Sequence, residues 1–157
     1  MRPKLIFLIL LFSWAKPFCQ TSQQDSSLII SLEKAKQLRL NDEYQSSLNI
    51  LETIRGNADF QALSCEDQLN YYYNVGANYY YLDLLSEALV YWKDTALHQA
   101  TQCWNIRHPE VGYYHYVIGI VHGGLNEYEE QAFHFEQSLS IQEGQAAADA
   151  LDLADLM

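Results

Sequence analysis

The sequence predicts an all-helical protein built from repeated helix pairs. After Pro17 the chain contains proline only at Pro109, and helices tolerate interior proline poorly, at a cost of about 3 kcal/mol each. Two segments, beginning at Asn70 and Gly112, share one pattern: a glycine inside an aromatic helix, a turn, and an acidic helix. Apolar residues make up 49% of the chain, enough for a packed core and too many for a disordered chain.

Residues 1–19 are predicted to form a secretory signal peptide. Arg2 and Lys4 precede an unbroken apolar run at 5–12, which is shorter than the roughly 20 residues that span a bilayer. We therefore expect an exported protein, periplasmic or extracellular. Membrane anchoring through this uncleaved N-terminal segment is the alternative.

The rest of the chain is expected to be a flexible segment at 20–26 and one repeat domain at 27–157, since 157 residues suit a single domain. The net charge is −11, and removal of the leader leaves six Lys and Arg against twenty Asp and Glu. Nucleic-acid binding needs a basic stripe, so this class of partner is excluded.

Helix start and stop signals follow one another along the domain. Ser64 and Asp67 resemble a capping box, Pro109 suits a first helical turn, and Gly144 is expected to end a helix. Seven helices are predicted, at 27–39, 42–55, 66–82, 85–103, 109–122, 126–142 and 145–156. The seventh is expected to be a separate capping helix with one polar face.

The repeated pattern resembles the tetratricopeptide repeat (TPR), a helix pair with the signature W-x2-L-G-x2-Y and then A-x3-F. In the second unit the matching residues are Tyr72, Val75, Gly76, Tyr79, Ala88 and Trp92. In the third they are His115, Ile118, Gly119, His122 and Phe135, and in a weaker first unit Ala35, Leu38, Ser47 and Leu51. The resemblance covers about residues 28–142. It implies a right-handed solenoid of helical hairpins, about three repeats followed by the capping helix.

The signature also has a physical interpretation. A glycine inside a helix costs roughly 1 kcal/mol relative to alanine, so Gly76 and Gly119 are predicted to lie where paired helices cross closely. Ala88 is expected to face the same crossing. Larger side chains are predicted to fill the space between units, namely Tyr79, Trp92 and Phe135. An unrelated helical bundle is the alternative.

The units recur after 41 and 43 residues, longer than the usual repeat of about 34. This period resembles the kinesin-light-chain type of repeat, which in bacteria often accompanies CHAT protease domains or sensor kinases. No such domain is visible in the sequence.

The resemblance implies a concave groove lined by the first helix of each unit. Several tyrosines and two basic residues are predicted to line it and bind the partner: Tyr73, Tyr80, Tyr81, Tyr113, Tyr116, Lys36 and Arg39. Tyrosine offers a large contact area and a hydroxyl for peptide groups, and the two cations would favour a peptide with a carboxylate. The alternative is that all the tyrosines pack in the core.

Signals for chemistry are weak. The chain lacks HExxH and paired CxxC motifs, and His115 and His122 lie two helical turns apart, so no metal site and no cofactor are predicted. Nothing marks Cys65 or Cys103 as a nucleophile, and a disulfide between them stays open.

The function expected is therefore an exported TPR scaffold that binds a protein or peptide and has no catalytic activity, with homo-oligomer formation left open. A fourth unit would begin just past Met157. The alternative is accordingly a sensory or regulatory input module of a larger signalling protein, truncated from a sensor kinase or a CHAT-protease-associated protein.

Overall fold

The computed structural model describes the backbone of residues 21–155 and the side chains of residues 26–147, so the predicted signal peptide lies outside it. All regular structure in the described part is helical. The helices are α1 (Thr21–Leu40), α2 (Tyr44–Arg55), α3 (Cys65–Tyr81), α4 (residues 85–103), α5 (Pro109–Gly124) and α6 (Tyr128–Asp155). A short 3-10 helix, Ala58–Ala62, lies between α2 and α3.

Consecutive helices pack in pairs, α1 with α2, α3 with α4, and α5 with α6. Each pair also contacts the next, because α3 packs on α1 and α2, and α5 packs on α4. One continuous core results, formed mainly by aliphatic side chains with the buried aromatics Phe60, Tyr71, Tyr72, Trp92 and Tyr114.

The turns within the three pairs have the same geometry. Asp42, Asp83 and Asn126 occupy the left-handed region, with φ of 63°, 60° and 63°. The next residue then donates its N–H to the carbonyl five residues earlier, at 2.9 Å in all three turns: Glu43 to Leu38, Leu84 to Tyr79, and Glu127 to His122. This is the bond of a Schellman motif, which ends a helix by satisfying its last carbonyls. The three turn residues are spaced like the repeats in the sequence, so the repetition is present in the backbone.

Two glycines mark close crossings within pairs. A Cβ on Gly76 would lie 2.6 Å from Cδ1 of Trp92, and one on Gly119 would lie 2.6 Å from Cδ1 of Phe135. Contacts this short overlap the van der Waals radii, so only glycine fits without displacing the ring. Trp92 is further fixed because its indole Nε1 donates to the carbonyl of Tyr73 at 3.1 Å.

Helix α4 contains a π-helical segment, Val90–Leu97, between two α-helical ends. The buried residues of α4 as a whole recur every four positions, at Ala88, Trp92, Ala96 and Ala100. Four residues exceed an α-helical turn of 3.6 residues by about 40°, so such a row drifts around an ideal helix. The wider π turn reduces this drift and keeps the row on the buried side.

Covalent and polar contacts tie the helices together. Asn78 Nδ2 donates to Ser47 Oγ, which donates to the carbonyl of Ala35, both at 2.8 Å. Cys65 and Cys103 form a disulfide with a Cα–Cα distance of 6.3 Å, which joins the start of α3 to the end of α4. The question that the sequence left open is thus answered by a bond across the second pair.

Two helices, α6 and α1, differ clearly from the sequence expectations. Helix α6 passes through Gly144 and continues to Asp155, so residues 145–156 are not a separate capping helix. The cost of one glycine, about 1 kcal/mol, is offset by the good helix formers that flank Gly144. Helix α1 begins at Thr21 and includes most of the segment predicted to be flexible.

None of the helices in the described range is long and apolar enough to cross a membrane.

Candidate functional site

An aromatic surface runs across α3, α5 and α6. We define it by Tyr73, Tyr113, Tyr116, Phe135 and Leu139. The ring centroids of Tyr73 and Tyr113 lie 5.6 Å apart, those of Tyr113 and Tyr116 6.5 Å, and those of Tyr116 and Phe135 5.8 Å. The surface is open to solvent, since Tyr113, Tyr116 and Leu139 are 41%, 46% and 55% exposed.

Three neighbouring depressions follow this surface. The first has a volume of about 510 Å³ and is lined by Glu66, Tyr73, Trp104, His108, Glu110 and Tyr113, among others. It shares Glu110 and Tyr113 with a second depression, which shares Tyr116 and Gln142 with a third beside Phe135 and Leu139. The depressions therefore adjoin one another along one groove, with Glu66 lining the first and Glu110 lying where the first and second meet.

The hydroxyl group of Tyr113 is held in the neutral form. Burial raises the pKa of Tyr113 well above its usual range, and the hydrogen bond between the hydroxyls of Tyr113 and Tyr73, 2.9 Å long, raises it further. A neutral phenol both donates and accepts a hydrogen bond, so this group can bind peptide N–H and C=O alike.

The predicted groove residues are only partly brought together. Tyr73, Tyr113 and Tyr116 lie on the aromatic surface, and the Arg39 guanidinium lies 5.6 Å from the centroid of the Tyr73 ring. Arg39 Nε also donates to Asn74 Oδ1 at 3.0 Å, so its position is fixed from within the chain.

Three other predicted residues lie elsewhere. The ring of Tyr80 lies against the buried Trp92, and the centroids of these two rings are 6.1 Å apart. Tyr81 stacks on Tyr44 at 5.2 Å, and Lys36 pairs with Glu33 at 3.3 Å. The first of these two contacts joins α3 to α2 and the second lies within α1, and none of the four residues lines the three depressions.

The sequence prediction did not include Leu139 in the surface. Its counterpart one unit earlier, 43 residues before, is the buried Ala96. A large apolar residue in the place of a buried alanine was the signal that could have identified it. Of the signature residues, Tyr79 stacks on Tyr91 within its own pair, and Phe135 is half-buried.

A second group of polar residues lies between α5 and α6. His122 and His134 are each 3% exposed, and their rings stack with centroids 5.4 Å apart. Burial, aided by the neighbouring His115 and His122, lowers the pKa of His134 to about 4, and burial also lowers the pKa of His115. The sequence analysis expected His115 and His122 to be packed, in agreement with their burial. It did not predict that His134 lies beside them.

Comparisons with protein-family models, with curated proteins and with solved structures found no match to this chain.

Proposed function

We propose that this protein is an exported, TPR-like scaffold that binds a partner protein through its aromatic surface and does not itself catalyse a reaction. The observation that carries the proposal is an unequal burial of equivalent residues. In the second helix pair, whose α4 packs against α5, Trp92 and Ala96 are buried, whereas their counterparts Phe135 and Leu139 are half-buried and exposed. The aromatic surface could therefore make, with a partner helix, contacts equivalent to those that α4 makes with α5.

Two repeated features support the assignment to TPR-like units. The three turns share one hydrogen-bond pattern, and both glycine crossings place an aromatic ring over the glycine. The disulfide supports export, because such bonds persist mainly in oxidising compartments.

The two ends of the array differ, which argues for a partner rather than a stacked second copy. The positions of the buried Val75 and Ile118 are taken in α1 by the exposed Lys34. Ile30 lies 69% exposed at the position of the buried Tyr71. The first pair therefore presents a mixed, charged face that does not complement the aromatic surface in a head-to-tail contact.

The charge distribution supports a basic partner. Residues 108–157 contain nine Asp and Glu and no Lys or Arg, and Glu110 borders the groove itself. The occupant we propose is a basic amphipathic helix of a partner protein, lying on α5 and α6 as α5 lies on α4. Its apolar stripe fills the groove, and its lysines or arginines face the surrounding carboxylates. This assignment replaces the preference for a carboxylate that the sequence suggested, because Lys36 and Arg39 make contacts within the chain.

The test uses a synthetic helical peptide with apolar residues at the spacing of Tyr114, Ile118 and Val121 and lysine elsewhere. Its counterpart has glutamate in place of lysine. We expect the lysine peptide to bind and the glutamate peptide not to bind, with an affinity that falls as salt is added. Tyr116→Ala should weaken binding by about 1–2 kcal/mol in calorimetry, as loss of an aromatic anchor does.

Tyr128→Ala is the matched control, since Tyr128 is an exposed tyrosine on α6 outside the aromatic surface. Equal binding by wild type and Tyr116→Ala would refute the surface. Binding of both peptides would refute its charge preference. Sedimentation as a dimer that Tyr116→Ala dissociates would instead assign the surface to a second copy.

A further inference from the structure

The strongest unassigned cluster consists of His122 from α5 with Glu130 and His134 from α6. One ligand atom from each of these residues lies within 4.8 Å of the other two. Both histidines are almost completely buried, whereas Glu130 is exposed. Two imidazoles and a carboxylate this close together form a donor set that suits zinc.

An unsatisfied atom points to a ligand. Within the described part of the chain, Nε2 of His122 is buried and has no hydrogen-bond partner. A buried polar nitrogen without a partner costs about 1–3 kcal/mol, so native structures rarely leave one unoccupied. A bound metal ion would accept the lone pair of His122 Nε2, which no hydrogen-bond donor in the described residues approaches.

His122 has the outer contact that a metal-ligating histidine needs, and Nδ1 of His134 also has a partner. Nδ1 of His122 lies 2.6 Å from a carboxylate oxygen of Glu127, and Nδ1 of His134 lies 2.9 Å from Nδ1 of His115. A carboxylate on the second ring nitrogen fixes the tautomer that leaves Nε2 unprotonated, as commonly found around zinc. In both rings Nδ1 is engaged, which leaves Nε2 for an ion.

We propose that His122, Glu130 and His134 bind a zinc-class divalent transition-metal ion between α5 and α6. Nε2 of each histidine and one carboxylate oxygen of Glu130 are the ligands, with a fourth position for water. Zinc–ligand bonds of about 2.0–2.2 Å require the three atoms to approach more closely than in the structure. We expect the side chain of Glu130 to make this movement. It is exposed, and its ion pair with Lys93 is long, at 4.0 Å, so this contact holds it only weakly.

The ion would fix the two helices that carry most of the aromatic surface. Tyr116 follows His115 on α5, and Phe135 follows His134 on α6. The metal site nevertheless stands independently of partner binding, because its residues do not line the groove.

The test uses the untagged full chain after treatment with a chelator, with Zn²⁺ as the probe. We expect one Zn²⁺ per chain in calorimetry and a rise in Tm on adding zinc. Zinc should also shift the Nε2 resonances of two histidines in nitrogen NMR, a signal that adsorption to surface carboxylates does not give. Co²⁺ in its place should give the visible absorption of a low-symmetry, four-coordinate site.

Glu130→Gln and Glu129→Gln are matched variants, because both remove one negative charge from neighbouring exposed positions of α6. Glu130→Gln should weaken zinc binding by at least about tenfold and Glu129→Gln should not, since only the former removes a ligand. Glu127→Gln should weaken binding by about tenfold through the orientation of His122. Equal affinity in the Glu129 and Glu130 variants, or a zinc titration that leaves the Tm and the histidine resonances unchanged, would overturn the proposal.

Discussion

The hydroxyl oxygens of Tyr73 and Tyr113 lie 2.9 Å apart and join α3 to α5 through a hydrogen bond between side chains 40 residues apart in sequence. This bond is made at the solvent-facing edge of the boundary between the second and third helix pairs. Beneath it, the Tyr114 hydroxyl donates to the carbonyl of Leu69 at 3.0 Å. The third pair is therefore attached to the second by one exposed and one buried tyrosine bond.

Replacing Tyr73 and Tyr113 with phenylalanine, singly and together, measures the exposed bond. We expect a coupling free energy of about 0.5–1 kcal/mol between the two hydroxyls, because water competes for both groups. Urea denaturation of the four proteins gives this value. Strictly additive effects would show that the bond makes no net contribution to the free energy of unfolding.

Gly76→Ala and Gly144→Ala should have opposite effects, although alanine is the better helix former at both positions. At Gly76 the new methyl group overlaps the Trp92 ring, and we expect a loss of about 1–3 kcal/mol. At Gly144 nothing lies within 4 Å of the added Cβ, so a gain of up to about 1 kcal/mol is expected. Thermal melts test both, and a stabilised Gly76→Ala variant would contradict the close crossing.

Removing the disulfide should lower the free energy of unfolding by about 3–4 kcal/mol, the chain-entropy cost for a loop of this length. Cys65→Ser and Cys103→Ser should therefore behave alike, because the bond joins residues 38 apart. A reductant should lower the stability of the wild type to the same level and leave the two variants unchanged. A further loss on reducing either variant would point to a different pairing.

Alkaline pH should destabilise the fold through its buried tyrosines. Burial raises the pKa of Tyr71 to about 12 and also raises the pKa of Tyr114, compared with about 10 in an unfolded chain. The folded state holds these protons more tightly, so their contribution is complete below about pH 10 and is lost as the pH rises toward 12. Tyrosinate absorbance and circular dichroism measured together should show ionisation coinciding with unfolding. Tyr71→Phe should show a smaller loss of stability over the same pH range.

The helical class and the repeat spacing were accessible from the sequence because both depend on local pattern. The regular recurrence of Ala35, Gly76 and Gly119 fixed the register in which the helix pairs recur, and the three turns keep it. Helix ends were less accessible. Glycine is typical of a helix end, but the neighbours of Gly144 favour a helix strongly enough for α6 to continue through it.

The candidate sites depended on side-chain choices that periodicity does not encode. Tyr80 and Tyr81 are adjacent in sequence, yet one ring turns toward Trp92 and the other toward Tyr44. The histidine cluster was missed for a related reason. A search for metal ligands within one helix compares His115 with His122, whereas the structure brings His134 in from the opposite helix of the pair.

The disulfide also determines how the protein should respond to tension. Cys65 and Cys103 enclose nearly all of α3 and α4, so a pulling force applied to the chain ends passes through the bond and bypasses this hairpin. The first and third pairs can be stretched out, but the chain between the two cysteines, which are 38 positions apart, adds almost no extension until the bond is reduced. Reduction would then release roughly 130 Å of slack, at about 3.4 Å per residue, so the oxidised chain has a built-in limit to its length under load.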